Sequence, residues 1–192
     1  MEKRHRVFIA INLPEDVKRA LTRYEEKWPE VPAKWTVRDN IHITLVFLGD
    51  LTDEESANVC IITKEVAERY GSINIILNKI LYGPTNKLPP KMIWVEGEKS
   101  KEISDLKNDL EKSLLEKVRF APDGRGFNPH ITLARIRETE FRQIEPEEIP
   151  EVDENIDYNF MIESIEVMES ELKRGGPQYT VLESCPLKSE DI

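Results

Sequence analysis

His42-Ile43-Thr44-Leu45 occurs twice in this chain, the second time letter for letter as His130-Ile131-Thr132-Leu133, 88 residues on (42 to 130). Both copies lie in strand-like text. Only three histidines exist, at positions 5, 42 and 130, and two of them carry a Thr at i+2. Side chains i and i+2 of a strand share a face. Each His therefore has a hydroxyl as its neighbour, while Ile and Leu turn toward a core. If an approximate two-fold axis relates the two strands, the two His–Thr pairs face each other across one cleft. Two imidazoles on opposite sides of a phosphorus make a general acid and a general base. Histidine suits both tasks because its unperturbed pKa of about 6.5 lies near working pH. The Thr hydroxyls can hydrogen-bond the non-bridging oxygens of a phosphate.

Two other uses of these residues compete with this one. A strand His with a Thr beside it is ordinarily a satisfied structural residue; the duplication speaks against that. Metal ligation usually brings close His pairs on one element with carboxylate or Cys helpers. Here each element offers one His followed by Thr, a poor ligand, so no metal is expected.

Working outward from the repeat, Arg6–Leu13 reads as a strand buried on both faces. Pro14 opens an amphipathic helix over 14–28, with Val17, Leu21, Tyr24 and Trp28 inward. Trp35–Val37 and Ile41–Leu48 read as strands, the second stopped by Gly49-Asp50. Thr52 and Glu55 form a capping box that starts a helix ending near Tyr70-Gly71. Ile73–Tyr82 and Met92–Val95 are strands, residues 100–117 a helix, and 130–136 a strand. Arg137–Asp157, acidic and proline-punctuated, reads as mostly loop. Phe160–Glu169 and Gln178–Glu183 read as a closing hairpin across Arg174-Gly175-Gly176-Pro177. Helices fall between groups of strands instead of alternating with them, which favours an α+β fold with antiparallel sheet. No linker divides residues 1–192, so one domain is expected.

Composition narrows the function. The 192 residues hold 37 acidic and 27 basic side chains, for a formal net charge of −10. That argues against a long track for duplex nucleic acid. It leaves room for a small site that takes the end of an RNA strand. No apolar run approaches the roughly 20 residues of a membrane helix. Val7–Leu13 is too short and badly flanked for a secretory signal. Cys60 and Cys185 make no disulfide framework and no C-x-x-C pair, so a reduced, cytoplasmic protein is expected. Nothing points to an obligate dimer, and a monomer is expected.

With these flanks in view, the sequence resembles the two-histidine (2H) phosphoesterases, in particular the RNA 2′,3′-cyclic phosphodiesterases historically called 2′-5′ RNA ligases. The resemblance runs nearly end to end. Arg6-Val7-Phe8-Ile9-Ala10-Ile11-Asn12-Leu13-Pro14 looks like the family's opening strand. Trp35-Thr36 precedes the first H-x-T-x motif, which continues as Val46-Phe47-Leu48-Gly49-Asp50. The second stands in Phe127-Asn128-Pro129-His130-Ile131-Thr132-Leu133-Ala134-Arg135. Ser170-Glu171-Leu172 and Gly176-Pro177-Gln178-Tyr179 resemble the closing hairpin. The resemblance implies a bilobal α+β fold with pseudo-two-fold duplicated antiparallel sheets, helices outside and both motifs in a central cleft. It implies opening of a terminal 2′,3′-cyclic phosphate to a 2′-phosphomonoester without metal or cofactor, with His42 as acid to the leaving O3′ and His130 as base to water.

The same resemblance suggests that Phe47 and Arg135, each five places after its His, hold a nucleobase by stacking and cation–π contact. Strict strand parity opposes this, since an odd offset points to the other face; a bulge or strand end is required. Arg125, in a Gly-flanked loop, reads as a solvated charge that could reach an RNA phosphate. His5 lacks the Thr and reads as a terminal surface residue. Trp35 and Tyr179 read as core or cleft wall. The partners expected are RNA ends or small nucleotides bearing a 2′,3′-cyclic phosphate. Alternative functions are 2′-5′ ligation through the same site, cleavage of 2′-5′ oligonucleotides, and an RNA-end-binding module without catalysis.

Overall fold

A computed structural model describes residues 3–85, 87–122 and 126–188. It contains two antiparallel sheets. The strands are β1 (His5–Asn12), β2 (Ala33–Trp35), β3 (His42–Leu51), β4 (Ile73–Gly83), β5 (Met92–Gly97), β6 (His130–Ile136), β7 (Asp153–Ile162), β8 (Ser164–Lys173) and β9 (Gly176–Pro186). One sheet runs β3-β1-β8-β9, the other β2-β6-β5-β4-β7. The helices are α1 (Glu15–Thr22), α2 (Asp53–Ala67), α3 (Lys101–Leu115) and the single turn α4 (Glu138–Phe141). None of them is long and apolar enough to cross a membrane.

The duplication is visible in the pairing. β3 lies antiparallel beside β1, with α1 in the connection; β6 lies antiparallel beside β5, with α3 in the connection. α2 lies across the first sheet, touching β8 and β9, and packs on α3. β1 divides two environments. Val7, Ile9 and Ile11 enter the main core, whereas Phe8 and Ala10 join Met168 and Tyr179 in a small cluster on the opposite face. That explains five consecutive buried residues in a strand of period two.

The capping box at Thr52 forms as its sequence demands. Thr52 Oγ1 accepts from the Glu55 N–H (3.1 Å), and Glu55 Oε2 accepts from the Thr52 N–H (2.9 Å). Thr52→Ala is expected to cost about 1 kcal/mol of folding stability, measured by urea unfolding, with unchanged activity.

Five expectations need correction. The helix over 14–28 is α-helical only to Thr22 and continues as a 3-10 turn over Arg23–Lys27. The tighter turn carries Trp28 inward, where Nε1–H donates to Glu151 O (3.1 Å). The strand expected at 35–37 ends at Trp35, and Val37 leads into a 3-10 turn over Arg38–Asn40. β3 does not stop at Gly49: it passes through it at φ 81°, opposite Val7, a left-handed conformation that glycine adopts without strain. The strand expected over Phe160–Glu169 is two strands that part at Glu163: β7 pairs with β4 in one sheet, β8 with β1 and β9 in the other. Ile162 and Ile165 are both buried, one in each strand. β7 also begins within the stretch read as loop, with Ile156, Tyr158 and Phe160 half-buried at period two.

Candidate active site

The two His strands run along one cleft of about 410 Å³, whose lining includes His42, Thr44, His130 and Thr132. The repeat is structural as well as literal. From His42 to Leu48 and from His130 to Ile136, exposed and buried positions follow the same order, residue for residue. Both strands are bulged at the same place. Ala10 pairs with Thr44 and Ile9 with Val46, so Leu45 is extra; Trp94 pairs with Thr132 and Ile93 with Ala134, so Leu133 is extra. One extra residue reverses the parity of everything after it. Phe47 and Arg135 thereby return to the cleft face and line the cleft with the two His–Thr pairs. The odd offset that opposed their role is removed by the bulge it required. Phe47 is not core: it is 49% exposed, with the Arg6 guanidinium 5.1 Å from its ring centroid.

Each imidazole is anchored the same way. His42 Nδ1–H donates to Asn40 O (2.8 Å) and His130 Nδ1–H to Asn128 O (2.9 Å). A carbonyl accepts only, so Nδ1 carries the proton and Nε2 is the nitrogen left for chemistry. The anchors lie two residues before each His. The sequence repeat in fact starts there, as Asn40-Ile41-His42 and Asn128-Pro129-His130, two residues ahead of the tetrapeptide.

The surroundings differ. His42 packs against Phe8 (centroids 5.0 Å) and the edge of Tyr179 (5.3 Å), and its Nε2 meets Thr44 Oγ1 at 3.0 Å. Burial lowers its pKa below 6.5, Lys18 and His130 lower it further, and the Asn40 carbonyl opposes them. His130 packs against Trp94 (4.7 Å), and its Thr132 hydroxyl rests 3.7 Å from Met92 Sδ. Trp94 in turn lies flat against Gly83, where a Cβ would overlap the indole ring. Gly83→Ala is expected to push Trp94 into His130, costing about 1–3 kcal/mol by overpacking. In turnover assays it should lower kcat more than it raises KM.

Tyr179 is cleft wall, as is Trp35. Burial raises the Tyr179 phenol pKa against the pull of Arg135 and Arg6. His5 is not a free surface residue. It bridges Glu169 (Nδ1, 2.6 Å) and Asp53 (Nε2, 2.7 Å), tying β1 to β8 and to the start of α2, and the Glu169 bond foremost raises its pKa. Arg125 lies outside the described residues. Among the described residues no group of three or more His, Cys, Asp or Glu could hold a metal ion, and no Asp or Glu lines the cleft.

The family described as LigT like phosphoesterase matches this chain twice, over residues 11–94 and 95–179. Relatives include an RNA 2′,3′-cyclic phosphodiesterase of Thermus thermophilus, 31% identical over 96% of this chain and 91% of its own length. Another protein of that name, from Methanothermobacter thermautotrophicus, is 26% identical over 93% and 96%. Among solved structures, a Thermus thermophilus protein superposes with a TM-score of 0.82 at 29% identity, covering 97% of this chain and 100% of that one. E. coli LigT in complex with 3′-AMP shares the fold, with a TM-score of 0.77 at 23% identity, covering 96% of this chain and 99% of that one.

Proposed function

Since the chain belongs to the LigT-like phosphoesterase family, we propose that it hydrolyses terminal RNA 2′,3′-cyclic phosphates to 2′-phosphomonoesters by His/His acid–base catalysis. The observation that carries this reading is the pair of carbonyl-anchored imidazoles, each with its Thr, lining one cleft. His130 Nε2 takes a proton from water as the water oxygen attacks phosphorus. His42 Nε2–H gives a proton to O3′ as the P–O3′ bond breaks, and the phosphate stays on O2′. Thr44 and Thr132 donate to the non-bridging oxygens. When His42 is neutral, the Thr44 hydroxyl donates to Nε2; when His42 is protonated, Nε2–H donates instead, and the Thr44 hydrogen is free for phosphate. Phe47 and Arg135 hold the terminal base and set which ribose oxygen faces His42.

Two imidazoles and two hydroxyls without a carboxylate suit proton transfer better than metal ligation. Cyclic-phosphate opening is therefore expected to proceed at full rate in EDTA. Loss on chelation with recovery on added zinc or manganese would overturn the metal-free reading. Product analysis by phosphorus NMR should give the 2′-phosphate; no turnover, with tight binding of RNA ends, would favour a binding module instead. The substrate class is RNA ends or small nucleotides bearing the cyclic phosphate, and the chain acts as a monomer in the cytoplasm. The free thiols Cys60 and Cys185 suit a reducing compartment.

A further inference from the structure

Net charge and cleft charge disagree in sign. The chain carries −10, yet the charged residues lining the cleft besides its histidines are Arg6, Lys34 and Arg135. No ion pair to an acidic side chain is recorded for any of the three among the described residues. Lys34 on β2 stands directly across from Arg135 on β6 in the antiparallel register. Like charges at such a pair oppose folding, and this strand offers them no carboxylate. Lys34 Nζ is held instead by a neutral acceptor, Gly175 O at 3.0 Å, in the turn between β8 and β9. Asn40 Nδ2 makes a second tie to the same hairpin, at Pro177 O (2.7 Å). The Lys34 ammonium, held by a carbonyl at the cleft edge, has no counter-ion among the described residues.

Building on the phosphodiesterase reading, we propose that Lys34 is a specificity residue. Together with the Arg135 side of the cleft, it binds the phosphodiester on the 5′ side of the terminal nucleotide. The enzyme then favours an oligonucleotide end over a free cyclic mononucleotide, which has no second phosphate. Arg135 can serve base and backbone, since a guanidinium offers its flat face to a ring and its edge to an anion. Lys34, a compact charge with no aromatic partner in its contacts, has only the anion to serve. The strong acid excess elsewhere on the chain confines a polyanion to this cleft.

The test compares a nucleoside 2′,3′-cyclic phosphate with a trinucleotide ending in the same group, at several salt concentrations. The protein is used as wild type, Lys34→Ala and Lys34→Arg. The wild type should show a lower KM for the trinucleotide at low salt. Lys34→Ala should reduce the trinucleotide-to-mononucleotide ratio of kcat/KM by about five- to tenfold and flatten the log–log salt slope by about 0.7, the share of one phosphate on a single strand. Lys34→Arg should restore most of both. Equal KM values for the two wild-type substrates, or an equal loss on both in Lys34→Ala, would overturn the proposal. Absence of turnover on both substrates counts against the phosphodiesterase reading alone. In that event, binding of a 3′-phosphorylated trinucleotide decides: weaker in Lys34→Ala, it supports the phosphate site; unchanged, it refutes it.

Discussion

His42→Ala and His130→Ala are each expected to lose about 10² to 10⁴-fold in kcat, the usual contribution of a positioned acid or base. Both variants should fold. Each imidazole lies at the cleft wall of a strand whose inward residues, Ile43 and Leu45 or Ile131 and Leu133, stay in the core. Circular dichroism and the unfolding midpoint check this beside the assay. The double variant should lose far less than the product of the single losses, because acid and base act in one transition state. Thr44→Ala and Thr132→Ala should lose less, since each removes one hydrogen bond to a charged oxygen, worth about 1.5–3 kcal/mol. Thr44→Ala carries a second effect, because Thr44 also bonds His42 Nε2. Full activity in either His variant would remove the two-histidine mechanism and leave the fold assignment intact.

How much of this was readable in the sequence depends on the range of the interactions involved. The two motif strands were legible because their signal is local: alternating Ile and Leu with polar partners. β6 begins and ends where its text does, at His130 and Ile136. The Thr52 cap was legible for the same reason. The bulges at Leu45 and Leu133 were not, because a bulge is a property of a strand and its partner together, and the hydrogen bonds that create it come from β1 and β5. Parity counted on one strand alone therefore put Phe47 and Arg135 on the wrong face. The break at Glu163 was hidden likewise: a continuous apolar–polar alternation says nothing about which sheet each half joins. Lys34 lies in no quoted motif, and nothing in the opening-strand text marks Arg6 as a cleft charge. Their role rests on the register that sets Lys34 beside Arg135 and on the fold of β1 along β3, both long-range facts.

The proposed mechanism gives the two histidines different roles, and the second large effect follows from that. With a phosphodiester whose leaving group is p-nitrophenolate, His42→Ala should recover most of its lost activity, whereas His130→Ala should not. A stable leaving anion needs no proton, but the attacking water still needs a base. The wild-type pH profile adds a signed prediction. Productive free enzyme requires His42 protonated and His130 neutral. Burial, Lys18 and His130 lower the His42 pKa, so the limb of the kcat/KM profile that reports His42 should lie below pH 6.5. A bound phosphate anion favours the imidazolium, so that limb should lie higher for kcat than for kcat/KM. In His42→Ala with the activated substrate the alkaline limb should vanish, leaving only the acid limb on which the base becomes protonated. Should rescue instead appear in His130→Ala, with the alkaline limb vanishing from its profile, the two roles are exchanged. The product would then carry its phosphate on O3′ if the ribose keeps its orientation, because the oxygen beside the acid is the one released.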